Sequence, residues 1–275
     1  MVGLIRKIIV IMLIALLAFV VIWSASAKDV TISGSSTVMP LAEVAAEEFN
    51  IQQHDYVVTV SAGGTGAGIL GIAERKNDIA MASREITGDE RQRFGDSFEE
   101  FLIGLDGISL AVSDEVYEAG VKGLTRDQVR EIYLGNITNW KELGGPDADI
   151  YVISREEGSG TRDSFNEIAL GRKDVEMPGV DTVAFGAAEV KTAIAGSDKA
   201  IGYLGFNYLG GGVAGIAFNG IAPTYENIKL DLYELHRHLY FYTYGKPTSG
   251  AQAFIDFVRG PEGQKIAADE GFIPM

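Results

Sequence analysis

Three times in this chain a short Gly/Ser/Thr segment stands between a strand-like run and a helix-like apolar pattern: Gly34-Ser35-Ser36-Thr37, Gly63-Gly64-Thr65-Gly66 and Gly158-Ser159-Gly160-Thr161. A chain that turns from strand to helix at such points builds βαβ units, which pack as a sheet covered on both faces. The same junctions constrain chemistry. A helix start carries unpaired backbone N–H groups and a partial positive charge, so it is a natural seat for an anion. A single segment of this kind reads as readily as a Ser or Thr helix cap. Three of them, in a chain with 3 histidines and no cysteine, suggest that gripping a small oxyanion is the task itself.

Around these segments the chain alternates regularly. Residues 30–32 read as a short strand, and Pro40 suits the first turn of a helix bearing Leu41, Val44, Ala45 and Phe49 at helical spacing. Residues 56–60 alternate as a strand does and run into the loop 63–68, after which Ile69, Leu70, Ile72 and Ala73 form a helix face. Residues 77–82 are a buried strand ending at Ser83-Arg84. Ligands of such sheets gather at the carboxyl ends of the strands, where all these loops fall. Residues 101–112, apolar but interrupted by Gly104, Asp106 and Gly107, read as a strand crossing out of the first domain. Thr125 caps a helix over 125–134 that turns Val129, Ile132 and Tyr133 inward. Residues 149–153 form a strand feeding Arg155 and the third loop, with Phe165, Ile168 and Ala169 marking the helix after it. A loop-rich stretch (171–186), a short helix (189–195) and a glycine-rich strand-and-turn region (196–215) follow. The aromatic strand 235–244 carries the chain back, and helices over 251–258 and 263–268 close the first domain.

The first 27 residues stand apart from this pattern. Arg6 and Lys7 precede an apolar run from residue 8 to 23, and Ala25-Ser26-Ala27 is an A-x-A cleavage signal. At roughly sixteen residues the run is shorter than the ~20 of a membrane span, which favours a cleaved signal peptide over a retained N-terminal anchor. Without cysteine there is neither a disulfide nor an acylated lipoprotein cysteine, so the mature protein is held by folding alone outside the cytoplasm. The remaining residues, 28–275, fit one large or two modest domains. Losing Arg6 and Lys7 leaves 21 basic against 38 acidic side chains and takes the net charge from −15 to −17. Such acidity argues against nucleic acid or an anionic membrane as partner. It also removes long-range steering of an anion, so affinity has to come from close hydrogen bonds in a small dry site.

The strongest local motif is Arg155-x-x-x-Ser159-Gly160-Thr161, in which an arginine fork precedes a loop of hydroxyls and amides. Ser83-Arg84 can add a hydroxyl and a guanidinium to the same pocket, or Arg84 can form a salt bridge with a neighbour such as Glu85. Residues 63–68 lack the Gly-Lys-Ser/Thr ending of a nucleotide P-loop. His236 and His238 share one strand face but have no cysteine or third histidine nearby, so no metal site is expected. Glu157 occupies the first glycine position of a G-x-S-x-G elbow around Ser159, and His54, His236 and His238 lie in no motif suggesting a catalytic base. No catalytic residue is therefore expected.

Several motifs occur together and in order: Gly34 to Thr37 with Pro40, Gly63 to Gly66, Asp78-Ile79-Ala80-Met81-Ala82-Ser83-Arg84, Ile132 to Trp140 through Gly144-Gly145, and Arg155 to Thr161. Over essentially all of residues 29–275 the chain resembles the phosphate-binding proteins of Pst ABC transporters. The resemblance implies an α/β, two-lobed periplasmic-binding-protein fold of type II, with mixed sheets flanked by helices and two crossover strands. The first lobe would span 28–107 and 238–275, and the second 108–237. Phosphate would be held by Ser36 and Thr37, by Thr65 with the Gly66 amide, by Ser83 and Arg84, and by Arg155, Ser159, Gly160 and Thr161. The expected partners are inorganic phosphate and a membrane ABC permease, with a monomeric, extracytoplasmic receptor and no cofactor. One departure matters. Some members have an aspartate directly after the strand serine, accepting the proton of hydrogen phosphate and so rejecting sulfate, and here that position is Arg84. Glu85, Glu156 and Asp163 are candidate acceptors by their nearness in sequence. Another oxyanion such as sulfate or molybdate, or a secreted phosphate-ester hydrolase using Ser159 or Thr161, are the alternatives.

Overall fold

The structure is a computed structural model that describes residues 27–275, so the expected leader lies outside the described residues except for Ala27. The first lobe opens with β1 (Lys28–Gly34), α1 (Met39–Gln52), β2 (Tyr56–Ala62), α2 (Thr65–Ala73), β3 (Ile79–Ala82) and α3 (Gly88–Phe94). The 16-residue β4 (Phe98–Ser113) leads into α4 (Asp114–Glu118), β5 (Gly123–Leu124) and α5 (Arg126–Tyr133). The second lobe continues with β6 (Tyr151–Arg155), α6 (Gly160–Phe165), β7 (Thr182–Ala184), α7 (Ala187–Ala195), β8 (Ala200–Gly205), β9 (Val213–Gly215), β10 (Ala217–Phe218) and α8 (Tyr225–Lys229). The return to the first lobe is β11 (His236–Tyr244), α9 (Ser249–Arg259) and α10 (Pro261–Asp269).

The main sheet runs β2-β1-β3-β11-β4-β8-β6-β7, with β9 also paired to β4. In the first lobe β2, β1 and β3 are parallel and β11 lies antiparallel to β3; in the second, β8, β6 and β7 are parallel and β4 lies antiparallel to β8. The strand that joins the halves is β4. Phe98 to Gly107 pairs with β11, whereas Ile108 to Val112 pairs with β8.

Period-two alternation explains why both faces of each half are covered. Ile79, Met81, Leu239 and Phe241 point into one core with Val30, Leu41 and Phe254, while Ala80, Ala82, Tyr240 and Tyr242 point to the other face with Ile69 and Ile72. In the second lobe Leu110, Val112, Ile201 and Tyr203 join Trp140 and Phe165, and Ala111, Ala200 and Leu204 face Ile153 and Val190. Truncating a fully buried ring such as Phe241 or Phe165 would cost about 3–5 kcal/mol.

Helix starts follow their sequence signals. Pro40 occupies the first turn of α1, whose buried Leu41, Ala45 and Phe49 recur at helical spacing. The Thr125 hydroxyl accepts from the Gln128 amide and the Gln128 side chain answers to the Thr125 amide, a capping box that starts α5. Besides the short helices α3, α4 and α8, which no apolar spacing announces, two elements differ from the sequence reading. The stretch 171–186 contains the three-residue edge strand β7, too short to display alternation. The helix after the third loop is α-helical only to Phe165 and then widens into a π-helical run over Asn166–Leu170, ended by Gly171 at φ 88°.

Candidate oxyanion site

The ends of β1, β2, β3 and β6 bring the three loops together between the lobes. Gly34 allows the first of these ends: its φ is 139°, and a Cβ there would lie 2.3 Å from the Met81 carbonyl oxygen. Beyond it, Ser35, Thr37, Thr65 and Ser83 of the first lobe and Ser159 and Thr161 of the second are all buried. Their hydroxyls gather in two hydrogen-bonded sets, with the Ser159 hydroxyl on the Arg162 amide. The Ser35 hydroxyl donates to Ser83 Oγ at 2.9 Å, Ser83 Oγ lies 3.3 Å from Thr65 Oγ1, and Thr37 Oγ1 lies 3.0 Å from Thr161 Oγ1 across the cleft.

Arg155 closes this cluster from the second lobe. It ends β6, where burial of the strand leaves its side chain only 2% exposed. Glu156 grips it in a fork, accepting from Nε and from Nη2 at 2.8 Å each, and Nη2 also donates to Ser36 Oγ at 3.2 Å. Its Nη1 is buried and has no hydrogen-bond partner among the described residues. Ser36 Oγ also accepts from the Ala187 amide at 3.3 Å, at the start of α7. Ser159 is the N-cap of α6, accepting from the Arg162 amide, and Gly160 and Thr161 are that helix's first residues, whose amides have no partner inside the helix. Gly160 has to be glycine. A Cβ there would lie 2.6 Å from both Ser83 Oγ and Thr65 Oγ1, so the lobes could not meet.

Two residues expected to donate into this site are turned elsewhere. The Gly66 amide donates to the Gly158 carbonyl at 3.0 Å, so that the second and third glycine loops touch backbone to backbone across the cleft. Each nitrogen of Arg84 donates to a carboxylate: Nε to Asp163 at 2.7 Å, Nη1 and Nη2 to Glu90 at 2.8 and 2.9 Å. Local sequence prepares this clamp. Thr87 caps α3 in a capping box with Glu90, so the Glu90 carboxylate is already fixed by the Thr87 amide when it receives Arg84. Burial works against the charge on both partners, yet their pairing more than offsets it: the Arg84 pKa stands above its ordinary value and that of Glu90 below. Of the two roles open to Arg84 in the sequence, a donor into the pocket or a salt bridge with a neighbour such as Glu85, the geometry shows salt bridges, but to Glu90 and Asp163; Glu85 takes part only through its carbonyl.

Two of the three acceptors expected from sequence are also engaged. Glu156 holds Arg155 and Asp163 holds Arg84, while the Glu85 carboxylate, with burial the larger cause, helps push the Tyr240 phenol up to about 12. Around the cleft three arginines face four carboxylates, counting Arg84 with Glu90 and Asp163, Arg155 with Glu156, and Arg237 with Asp106. The surroundings are therefore not net positive. What they offer an anion is a set of aimed N–H and O–H donors, as expected for a chain of charge −15.

Ser35, Asp106 and Arg237 were not singled out as site residues from the sequence. Asp106 and Arg237 are direct cross-strand partners on β4 and β11, with the Arg237 Nη2 donating to Asp106 Oδ2 at 2.8 Å and to Thr37 Oγ1 at 3.2 Å. The available signal was one buried charge inside each of the two apolar crossover strands, which demands a partner of opposite sign. His236 lies beside this pair but faces away, its Nδ1 on the Tyr233 carbonyl and its Nε2 near Asp231.

Comparison with known proteins agrees with this architecture. Residues 20–262 match the family described as the PBP superfamily domain. The phosphate-binding protein PstS of Bacillus subtilis is 33% identical over 90% of this chain and 81% of its own length, and that of Borreliella burgdorferi is 29% identical over 90% of each. A candidate phosphate ABC transporter substrate-binding protein of Clostridium perfringens, solved with bound phosphate, superposes with a TM-score of 0.83 at 38% identity, covering 90% of this chain and all of that one. An ABC-type phosphate transport receptor from Vibrio cholerae gives a TM-score of 0.73 at 32% identity, covering 90% of this chain and all of that one. With two lobes joined by crossover strands and a hydroxyl-lined cleft between them, the chain belongs to the PstS family of phosphate-binding proteins, within the PBP superfamily.

Proposed function

We propose that the protein is a non-enzymatic, extracytoplasmic receptor that captures inorganic phosphate between its lobes and delivers it to a membrane ABC permease. The observations that carry this reading are the meeting of hydroxyls from both lobes at Thr37 and Thr161, and a buried Arg155 guanidinium that reaches Ser36 of the other lobe and whose Nη1 has no partner among the described residues. Ser36, Thr37, Thr65, Ser83, Arg155, Ser159, Gly160 and Thr161 would hold the anion, with Gly66 and Arg84 acting on the closure of the cleft. The lobes divide at 107/108 and 237/238, and the receptor acts as a monomer. Binding is a hinge closure on that division, each lobe supplying part of the donor set. Delivery to a permease is supported by the ABC transport roles that the Clostridium perfringens and Vibrio cholerae proteins carry in their names. An extracytoplasmic place is supported by the leader pattern, and no described helix is long and apolar enough to cross a membrane.

The test is calorimetric titration of the wild-type protein with phosphate and, separately, with sulfate. Phosphate is expected to bind one to one at micromolar affinity or tighter. Tighter binding of sulfate would transfer the site to another oxyanion, and silence with both would end the reading.

A further inference from the structure

We propose that Arg237, braced by Asp106, is a positioning residue of the anion seat: it sets the Thr37 hydroxyl as a donor toward the bound phosphate from the hinge itself. The proposal rests on the phosphate reading above. Arginine has no acceptor, so the contact between Arg237 Nη2 and Thr37 Oγ1 at 3.2 Å fills a lone pair of the threonine oxygen. The Thr37 proton is thereby left for the other side, where Thr161 Oγ1 stands at 3.0 Å. An anion seated between the lobes meets a hydroxyl already turned to donate, with no reorientation needed.

The pair is badly built as a structural staple. Its side chains are 4% and 0% exposed, and both Arg237 Nη1 and Asp106 Oδ1 are buried without a partner among the described residues. A buried ion pair with unsatisfied atoms adds little net stability and is often replaced by apolar residues without loss. Burial pulls the Arg237 pKa down and pushes that of Asp106 up, each opposed by its partner, which reflects the same strain on both charges. Its placement suits a different task. Asp106 and Arg237 stand opposite each other one register step from Gly107 and His236, the last pairing before β4 leaves β11 for β8. A guanidinium held at the hinge is common to both lobes, and its accompanying carboxylate keeps the added charge at zero.

The test is a double-mutant cycle on phosphate affinity with the charge-balanced variant Asp106→Leu/Arg237→Met and with Thr37→Val. The charge-balanced variant is expected to fold, with a ligand-free melting temperature near that of the wild type, and to bind phosphate about tenfold or more weakly. Thr37→Val is expected to weaken the wild type but to change the charge-balanced variant little, because the hydroxyl is no longer held. Wild-type affinity in the charge-balanced variant, or full additivity of the two changes, overturns the proposal while leaving the receptor reading intact. Failure of the wild type itself to bind phosphate overturns both. If the charge-balanced variant does not fold, Arg237→Lys, which keeps the charge but not the fork, takes its place in the same cycle with the same expected loss.

Discussion

Arg84 and Arg155 occupy matching places in the two lobes, one just past the end of β3 and the other at the end of β6, and both are buried. Their surroundings differ in one respect. Arg155 is held by a single carboxylate, Glu156, on the next residue of its own lobe, and keeps Nη1 without a partner among the described residues. Arg84 is held by two carboxylates, and one of them, Asp163, belongs to the opposite lobe. The first arrangement orients a guanidinium and leaves it able to bind; the second satisfies the guanidinium and fastens two bodies together. Nearness to an anion loop does not make an arginine a ligand. The number and origin of its carboxylates decide.

The comparison can be broken at several points. The largest effect is expected where the lobes touch: Gly160→Val places carbon atoms where Ser83 Oγ and Thr65 Oγ1 already stand within 2.6 Å of a Cβ. Phosphate affinity should fall about a hundredfold, close to 3 kcal/mol, with the melting temperature of the free protein little changed. Wild-type affinity in that variant would show that the lobes do not meet at this residue during binding. Asp163→Asn, which weakens the latch between lobes without touching the seat, should act less strongly. About three- to tenfold weaker binding, mostly through faster release in stopped-flow measurements, is expected; an effect as large as that of removing Arg155 would erase the distinction between latch and ligand.

The smallest effect concerns acid. Glu90 has its pKa lowered, with burial opposing and the Arg84 bonds prevailing, so it adds stability that is present above the ordinary value of 4.5 and is lost as pH falls through the depressed one. Arg84, its pKa raised, stays charged throughout. Glu90→Gln should therefore flatten the acid limb of a melting-temperature profile below that value, and an unchanged limb would place the sensitivity in other groups.

The sequence made the fold legible because its signals are local: glycine loops, Pro40, the Thr125 capping box and alternating apolar strands each specify one junction. Most of the hydroxyl cluster was legible for the same reason. Arg84 was not, because its nitrogens are shared between Glu90, on a short helix that no apolar spacing announces, and Asp163, 79 residues away on the other lobe. Arg237 was hidden further still, 200 residues from Thr37 and between two histidines that drew the eye. Spacing along a chain reports neighbours of a turn or a strand step, whereas closure of two lobes brings together side chains that no local period connects.

The most direct test of the account is a phosphate titration of Arg155→Ala beside the wild type, followed by calorimetry. The loss of the buried Arg155 guanidinium, which reaches Ser36 from the second lobe, should leave no tight binding in a protein that still folds. Micromolar or better phosphate affinity in Arg155→Ala would contradict the assignment of the seat.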